Sequence, residues 1–237
     1  MRRAVLAVVA ALLTSLPASA QVLRPQPTPA VVELFTAQGC SACPQANVWA
    51  AQLANRQNVI VLTYPVDYWD YLGWKDTLAK PAYAMRQRGY RTKLGLKDVY
   101  TPQFIIDGRR EAAGNKLSRV LQALGQSRTV IGPEISFDPA ARRAFVRGGQ
   151  ELRGGAEAWL IRYDPRILSV PVRTGENRGV NVLHRNTVRE LVRLGSWTGR
   201  PRSYSLPPPS APGLRTVVVL QSLRRDGVIG AARHPVR

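Results

Sequence analysis

Two cysteines, Cys40 and Cys43, are the only ones in this chain of 237 residues, and the stretch around them limits the fold more than any other. Residues 31–49 read VVELFTAQGCSACPQANVW. An apolar run, Val31 to Phe35, ends in Thr36-Ala37-Gln38-Gly39. The cysteines follow, and Pro44 then opens a segment whose Val48, Trp49, Ala51, Leu53 and Ala54 suit a helix. The order is strand, glycine turn, C-x-x-C, helix. With no other cysteine, any internal disulfide joins these two, and positions i and i+3 share a helical face, close enough to bridge. The first turn of a helix leaves N–H groups unpaired and carries partial positive charge, which favours a thiolate. A cysteine so placed has a pKa between about 3.5 and about 7.5 instead of about 8.5.

Three chemistries compete for the pair. Half of a four-ligand zinc site is one, but no second cysteine pair exists and the only histidines are His184 and His234. A static disulfide is another, although so short a loop adds little stability. A reactive dithiol or disulfide is the third. No phosphate loop, nucleotide fingerprint or serine-nucleophile elbow occurs, so neither a metal nor an organic cofactor is expected.

Residues 1–20 carry the features of an export signal. Arg2 and Arg3 form its positive end, Ala4 to Leu16 its apolar core, and Ala18-Ser19-Ala20 a small-residue cleavage site. Cleavage after Ala20 is expected, giving a periplasmic or secreted protein with no stable membrane insertion. An oxidising compartment suits a disulfide. The formal charge of +19 falls to +17 without Arg2 and Arg3, and the excess is shared between residues 21–150 and 151–237. No recognition helix or interleaved aromatic–basic module accompanies it, which argues against nucleic acid as partner. A solvated surface, or anionic envelope partners, accounts for it better.

Residues 21–30 form a proline-rich tether, and the helix after Cys43 is expected to run to about Arg56. Val59 to Val66 is an apolar run suited to a buried parallel strand. Tyr68, Trp69, Tyr71 and Trp74 crowd the next segment, either as a loop folded on its own aromatics or as a rim that binds a peptide-like substrate. Asp76 is placed to cap a helix over Thr77–Tyr90. Val99 to Ile106 reads as a strand with Pro102 near its start; Asp107-Gly108 turns it into Arg109–Ala113. A helix over Lys116–Gln126 follows, with Leu117, Val120, Leu121 and Leu124 on one face.

This order, with ELFTAQGCSACP, VDYWDYLGWKD and VYTPQFIIDG, resembles the thioredoxin superfamily. It resembles in particular a bacterial family of exported thioredoxin-like proteins catalogued as a domain of unknown function. The resemblance extends to GENRGVNVLHRNTVRELVRLGSW at Gly175–Trp197. It implies that Cys40 is the attacking thiol, Cys43 the resolving thiol, and Pro102 a cis-proline facing them. The backbone of Thr101 would pair with a bound polypeptide. Glu33 would be the proton acceptor for Cys43, or else a carboxylate paired with an arginine. The chain departs from the superfamily where Gln38-Gly39 replaces its tryptophan and Ser41-Ala42 fills the motif, so the motif does not set the reduction potential.

From residue 129 short strands replace helices: Glu134–Phe137, Arg142–Val146, Glu157–Tyr163, Val180–Val192, Thr216–Leu223 and Val228–Ala232. Asp138-Pro139, Asp164-Pro165 and Asp226-Gly227 act as turn signals between them. Val188, Leu191, Val192 and Leu194 also allow a helix. His184 reads as a hydrogen-bonded structural histidine. The expectation is an α/β thioredoxin-like domain over 31–128 followed by a smaller all-β, sandwich-like domain over 129–237. Its expected activity is thiol–disulfide exchange with a protein partner, and the rival is a non-catalytic protein-binding module with a structural disulfide.

Overall fold

A computed structural model describes residues 28–127, 132–148, 154–224 and 226–235. The expected export signal, and the tether up to residue 27, lie outside the described residues. The chain is a mixed α/β protein with one large sheet and one small antiparallel sheet.

Strand β1 (Ala30–Thr36) and strand β2 (Val59–Pro65) pair in parallel, Val31 opposite Ile60 and Phe35 opposite Tyr64. Both are buried on both faces, as their β-branched and aromatic runs require. Between them runs helix α1 (Cys43–Leu53), which starts at the second cysteine with Pro44 in its first turn and ends three residues before Arg56. Ala46, Ala50 and Leu53 pack on Val32, Leu34, Val59 and Val61. Helix α2 (Pro81–Leu94) lies on the opposite face, where Tyr83, Ala84 and Tyr90 meet Phe35, Leu62 and Tyr64. It starts later than expected because Asp76 is spent on a turn, accepting from the N–H groups of Leu78 and Ala79, and Pro81 sets the first helical φ. Gly95 ends it at φ +68, with two basic residues in the last turn.

Strands β3 (Gln103–Ile106) and β4 (Arg110–Ala113) form the expected hairpin, with Asp107 and Gly108 both at positive φ. Helix α3 (Leu117–Gly125) returns to the α1 face. Strands β5 (Glu134–Phe137) and β6 (Arg143–Arg147) follow. Two long strands, β7 (Ala156–Pro171) and β8 (Asn181–Trp197), come next, then β9 (Arg202–Ser205), β10 (Arg215–Ser222) and β11 (Val228–Arg233). The stretch that allowed a helix is strand throughout, and β9 is a strand the sequence did not announce.

The large sheet has the order β11-β10-β7-β8-β2-β1-β3-β4, and the small one β5-β6-β9. Residue 129 is therefore not a boundary in the sheet: strands from both sides of it share one eight-stranded layer. The small sheet packs on β7, β10 and β11 through Ala144, Val146 and Tyr204 against Leu160, Val218, Leu220 and Ile229. That is sandwich-like packing, but one of the two layers is common to the whole molecule. Asp164-Pro165 is not a turn between strands; it forms a bulge inside β7, where the register with β8 shifts between Asp164 and Ile167.

Candidate functional site

Cys40 sits three residues before α1 rather than within its first turn, in the bend that Thr36–Gly39 begins. The Cys43 N–H donates to the Cys40 carbonyl at 3.0 Å, which brings the two side chains together. Both are free thiols, Cys40 2 % exposed and Cys43 fully buried. Their surroundings push them apart in acidity. The hydrogen bond from the Cys43 thiol, above all, lowers Cys40 to about 7 against the effect of burial, helped by Thr101 and the N–H groups of Ala42 and Cys43. Burial first, then the neighbouring Cys40, pushes Cys43 well above the ordinary thiol value. Cys40 is thus the more acidic of the two thiols and Cys43 the one that holds its proton more tightly.

Thr101 and Pro102 stand beside the pair. Their peptide bond is cis, and the Thr101 hydroxyl, buried without a nitrogen or oxygen partner, faces the Cys40 sulfur. Gly114 permits this approach: a Cβ there would lie 2.7 Å from the Pro102 side chain. Glu33 is elsewhere. Its carboxylate takes both Nε and an Nη of Arg86, at 2.5 and 2.9 Å, and the Tyr90 hydroxyl. The Arg86 guanidinium also lies over Tyr64, Tyr90 and Trp159. Of the two expectations for Glu33, the arginine pair is the one formed, and the carboxylate is not turned to Cys43.

The aromatic segment divides. Tyr68 and Trp69 are half-buried against the core that holds both cysteines, and the Tyr68 hydroxyl donates to Gln87 at 3.1 Å. Trp74 donates through Nε1 to Gln38 at 2.8 Å. Only Tyr71 of the four, 82 % accessible on a short 3-10 turn, is free to meet a partner. Three aromatics therefore build the loop and one is left for a rim.

Gln38 is the hub of this loop, and nothing in its sequence context announced it. Its N–H donates to Asp76 at 2.8 Å, its side-chain carbonyl accepts from Trp74 and from the N–H of Thr77, and its backbone carbonyl accepts from Asn177 at 2.7 Å. Burial pushes Asp76 up to about 6, although the N–H groups of Gln38, Leu78 and Ala79 pull the other way. Asn177 also donates to the Cys40 carbonyl at 2.8 Å, and Glu176 accepts from the Ser41 N–H at 3.1 Å. Both come from the tip of the β7–β8 hairpin. Sequence reasoning missed them because a lone Glu-Asn in a loop has no periodicity; the only signal was the stretch beginning at Gly175.

His184 lies in β8 and, contrary to expectation, neither of its ring nitrogens has a hydrogen-bond partner. Burial lowers it to about 4. With Asn47, Ala51, Ile167 and Arg185 it lines a cleft of about 190 Å3 between α1 and the β7–β8 hairpin. Among the described residues no group of three or more His, Cys, Asp or Glu side chains gathers, and no helix is long and apolar enough to cross a membrane.

Comparison with known proteins agrees with this architecture. The X-ray structure of a protein from Agrobacterium tumefaciens superposes with a TM-score of 0.68 at 30 % sequence identity, over 88 % of this chain and 95 % of that one. HBP35 of Porphyromonas gingivalis superposes with a TM-score of 0.55 at 14 % identity, over 88 % of this chain and 75 % of its own, a likeness of fold alone. No curated protein matches in sequence. The family model described as "Protein of unknown function (DUF1223)" matches residues 31–221, most of the described structure, and the chain belongs to that family.

Proposed function

We propose that this protein is an exported thiol–disulfide oxidoreductase of the thioredoxin-like type, acting on other proteins of the cell envelope. The observation that carries the reading is the pair itself: two adjacent buried thiols, one lowered to about 7 and the other raised, at the head of a helix between parallel strands. The order β1–α1–β2, α2, β3–β4, α3, with Thr101–Pro102 opening the hairpin beside Cys40, supports the thioredoxin-like assignment of residues 31–127. The leader features of residues 1–20 support export.

In the reductive direction the Cys40 thiolate attacks one sulfur of a substrate disulfide, and the other substrate sulfur leaves as a thiolate that takes up a proton. Cys43, losing its own proton as it reacts, then attacks the Cys40 sulfur. The Cys40–Cys43 bond forms, the mixed disulfide breaks, and the second substrate thiol is released. Two electrons pass to the substrate. The oxidative direction is the reverse, and the substrate supplies or accepts all electrons, so no cofactor enters. Thr101, whose backbone would align the substrate chain, and Tyr71, the one freely exposed aromatic of its loop, are the substrate contacts.

A second reading, a protein-binding module without turnover, has one observation in its favour: Cys40 is almost completely covered. Titration of the pair in redox buffer with thiol trapping separates the two. The oxidoreductase reading expects a potential between about −120 and −270 mV, and a bridge that resists reduction to below about −300 mV supports the module. Cys40→Ser abolishes turnover of a reducible model substrate, and Cys43→Ser accumulates mixed disulfides. Equal turnover in wild type and Cys40→Ser removes the redox reading.

A further inference from the structure

Chain from the far half of the molecule is bonded to the backbone on both sides of the Cys40 thiol. We propose that the tip of the β7–β8 hairpin, residues 173–179, is a working part of the dithiol site, in which Asn177 is a positioning residue that fixes Cys40 for exchange and Glu176 is the charge that opposes it. The inference rests on the oxidoreductase reading above.

Asn177 is 3 % exposed, and its amide nitrogen bonds the carbonyls of Gln38 and Cys40, 139 and 137 residues away. The Cys40 carbonyl also accepts from the Cys43 N–H. Held from two sides, the peptide unit after Cys40 has one orientation, and the sulfur is aimed accordingly. The amide presents its positive edge within a residue of that sulfur, in surroundings where dipoles are weakly screened. Glu176 is exposed and accepts from the Ser41 N–H, so a carboxylate stands one residue from the Cys40 sulfur, just before the N-terminus of α1. Its charge disfavours a second anion there.

The tip is built to hold this position. The Thr174 hydroxyl donates to the Gly73 carbonyl at 2.5 Å, and four backbone bonds across residues 172–180, including Val180 N–H to the Asn177 carbonyl at 2.9 Å, close it on itself. The titratable groups around Cys40 are Cys43 on α1, Tyr68 after β2, Asp76 behind Gln38, and Glu176, which Arg173 and Arg178 flank in sequence. A donor at Asn177 and a carboxylate at Glu176 are placed to move Cys40 in opposite directions, whereas a merely structural tip moves it in neither.

The rate at which iodoacetamide alkylates Cys40, read by mass spectrometry on the full chain from about pH 5 to about pH 9, follows its thiolate fraction. Asn177→Asp, which replaces the donors with acceptors of the same size, lowers the rate at neutral pH about tenfold and moves the midpoint up. Glu176→Gln, which keeps an acceptor for Ser41, raises it about two- to fivefold, and Glu176→Lys raises it further. If Asn177→Asp does not fold, the two Glu176 variants, at an exposed position, decide the matter. Coincident profiles in wild type and variants overturn the inference even if the wild type exchanges with glutathione. A wild type that does not exchange overturns the oxidoreductase reading instead, and the alkylation profiles still decide this one.

Discussion

Glu33 and Arg86 bring opposite charges into the middle of the sheet, where each is almost fully buried. Such a pair need not stabilise a fold relative to an apolar one, but removing one partner strands the other. Glu33 is thus committed to Arg86 and Tyr90, and in the exchange proposed above the proton that Cys43 loses would go elsewhere, the departing substrate thiolate being the acceptor that mechanism supplies. Glu33→Gln is expected to lower stability by about 3–5 kcal/mol in urea unfolding, as is Arg86→Met. The rate at which Cys43 resolves a Cys40 mixed disulfide, followed by stopped flow, is expected to stay within about twofold, because no general acid–base partner has been removed. A fall in that rate of a hundredfold, the scale of lost general-base catalysis, would return Glu33 to the catalytic set.

The element that most changes the molecule is the β7–β8 hairpin, and its seam with β2 is thin. The β2–β8 ladder is a single parallel pair, Thr63 with Thr187. Side chains complete it: the Thr63 hydroxyl donates to the Arg185 carbonyl at 2.7 Å, Asn186 donates to Val61 at 3.0 Å, and Tyr83 donates to Val188 at 2.8 Å. Asn186 sits at φ +53, opposite the bulge at Asp164-Pro165, where a residue must leave the strand conformation. Asn186→Ala is expected to cost about 2–4 kcal/mol, from the unpaired Val61 carbonyl and the left-handed backbone together. Asn186→Gly is expected to recover about 1 kcal/mol of that, because it relieves only the second. Equal costs in urea unfolding would mean that φ is not the issue. This seam also marks what the sequence could not express. Residues 31–113 were legible because each element there carries its own signal: a fully apolar run, a proline at a helix start, Asp107-Gly108 at a hairpin. The union of β8 with β2 rests on one ladder pair more than 120 residues apart and on polar side chains that look like surface residues in a strand pattern. Asn177 was hidden for the same reason, since a loop residue gains its role only when the hairpin is laid across the cysteines. Asp164-Pro165 misled because an Asx turn and a bulge use the same two residues.

At the scale of the whole molecule, the shared sheet couples two buried titratable groups that pull stability in opposite directions with pH. His184, on the far half, is lowered to about 4 from 6.5, and Asp76, on the near half, is raised to about 6 from 3.8, both through burial. Between about pH 4 and 6 the unfolded chain protonates His184 and the folded one does not, so this group's contribution is whole above about 6.5 and is lost as pH falls. Over the same window the folded chain keeps Asp76 protonated and the unfolded one does not. Its contribution is whole below about 3.8 and is lost as pH rises through about 6. Each slope is about 1.4 kcal/mol per pH unit, with opposite sign, so the two nearly cancel in the wild type. Substitution uncovers them. Relative to wild type, Asp76→Asn is expected to gain stability steadily as pH rises from about 4 to about 6, and His184→Leu to lose it at a similar rate. Any fixed cost of either substitution displaces its curve without changing that slope, and the subtraction removes every other carboxylate the proteins share. Urea midpoints at half-unit steps suffice to read both lines. Parallel curves for the three proteins would mean that neither group is held away from its ordinary acidity by the fold, whereas crossing lines would tie the loop behind Gln38 and the strand behind α1 to one cooperative structure.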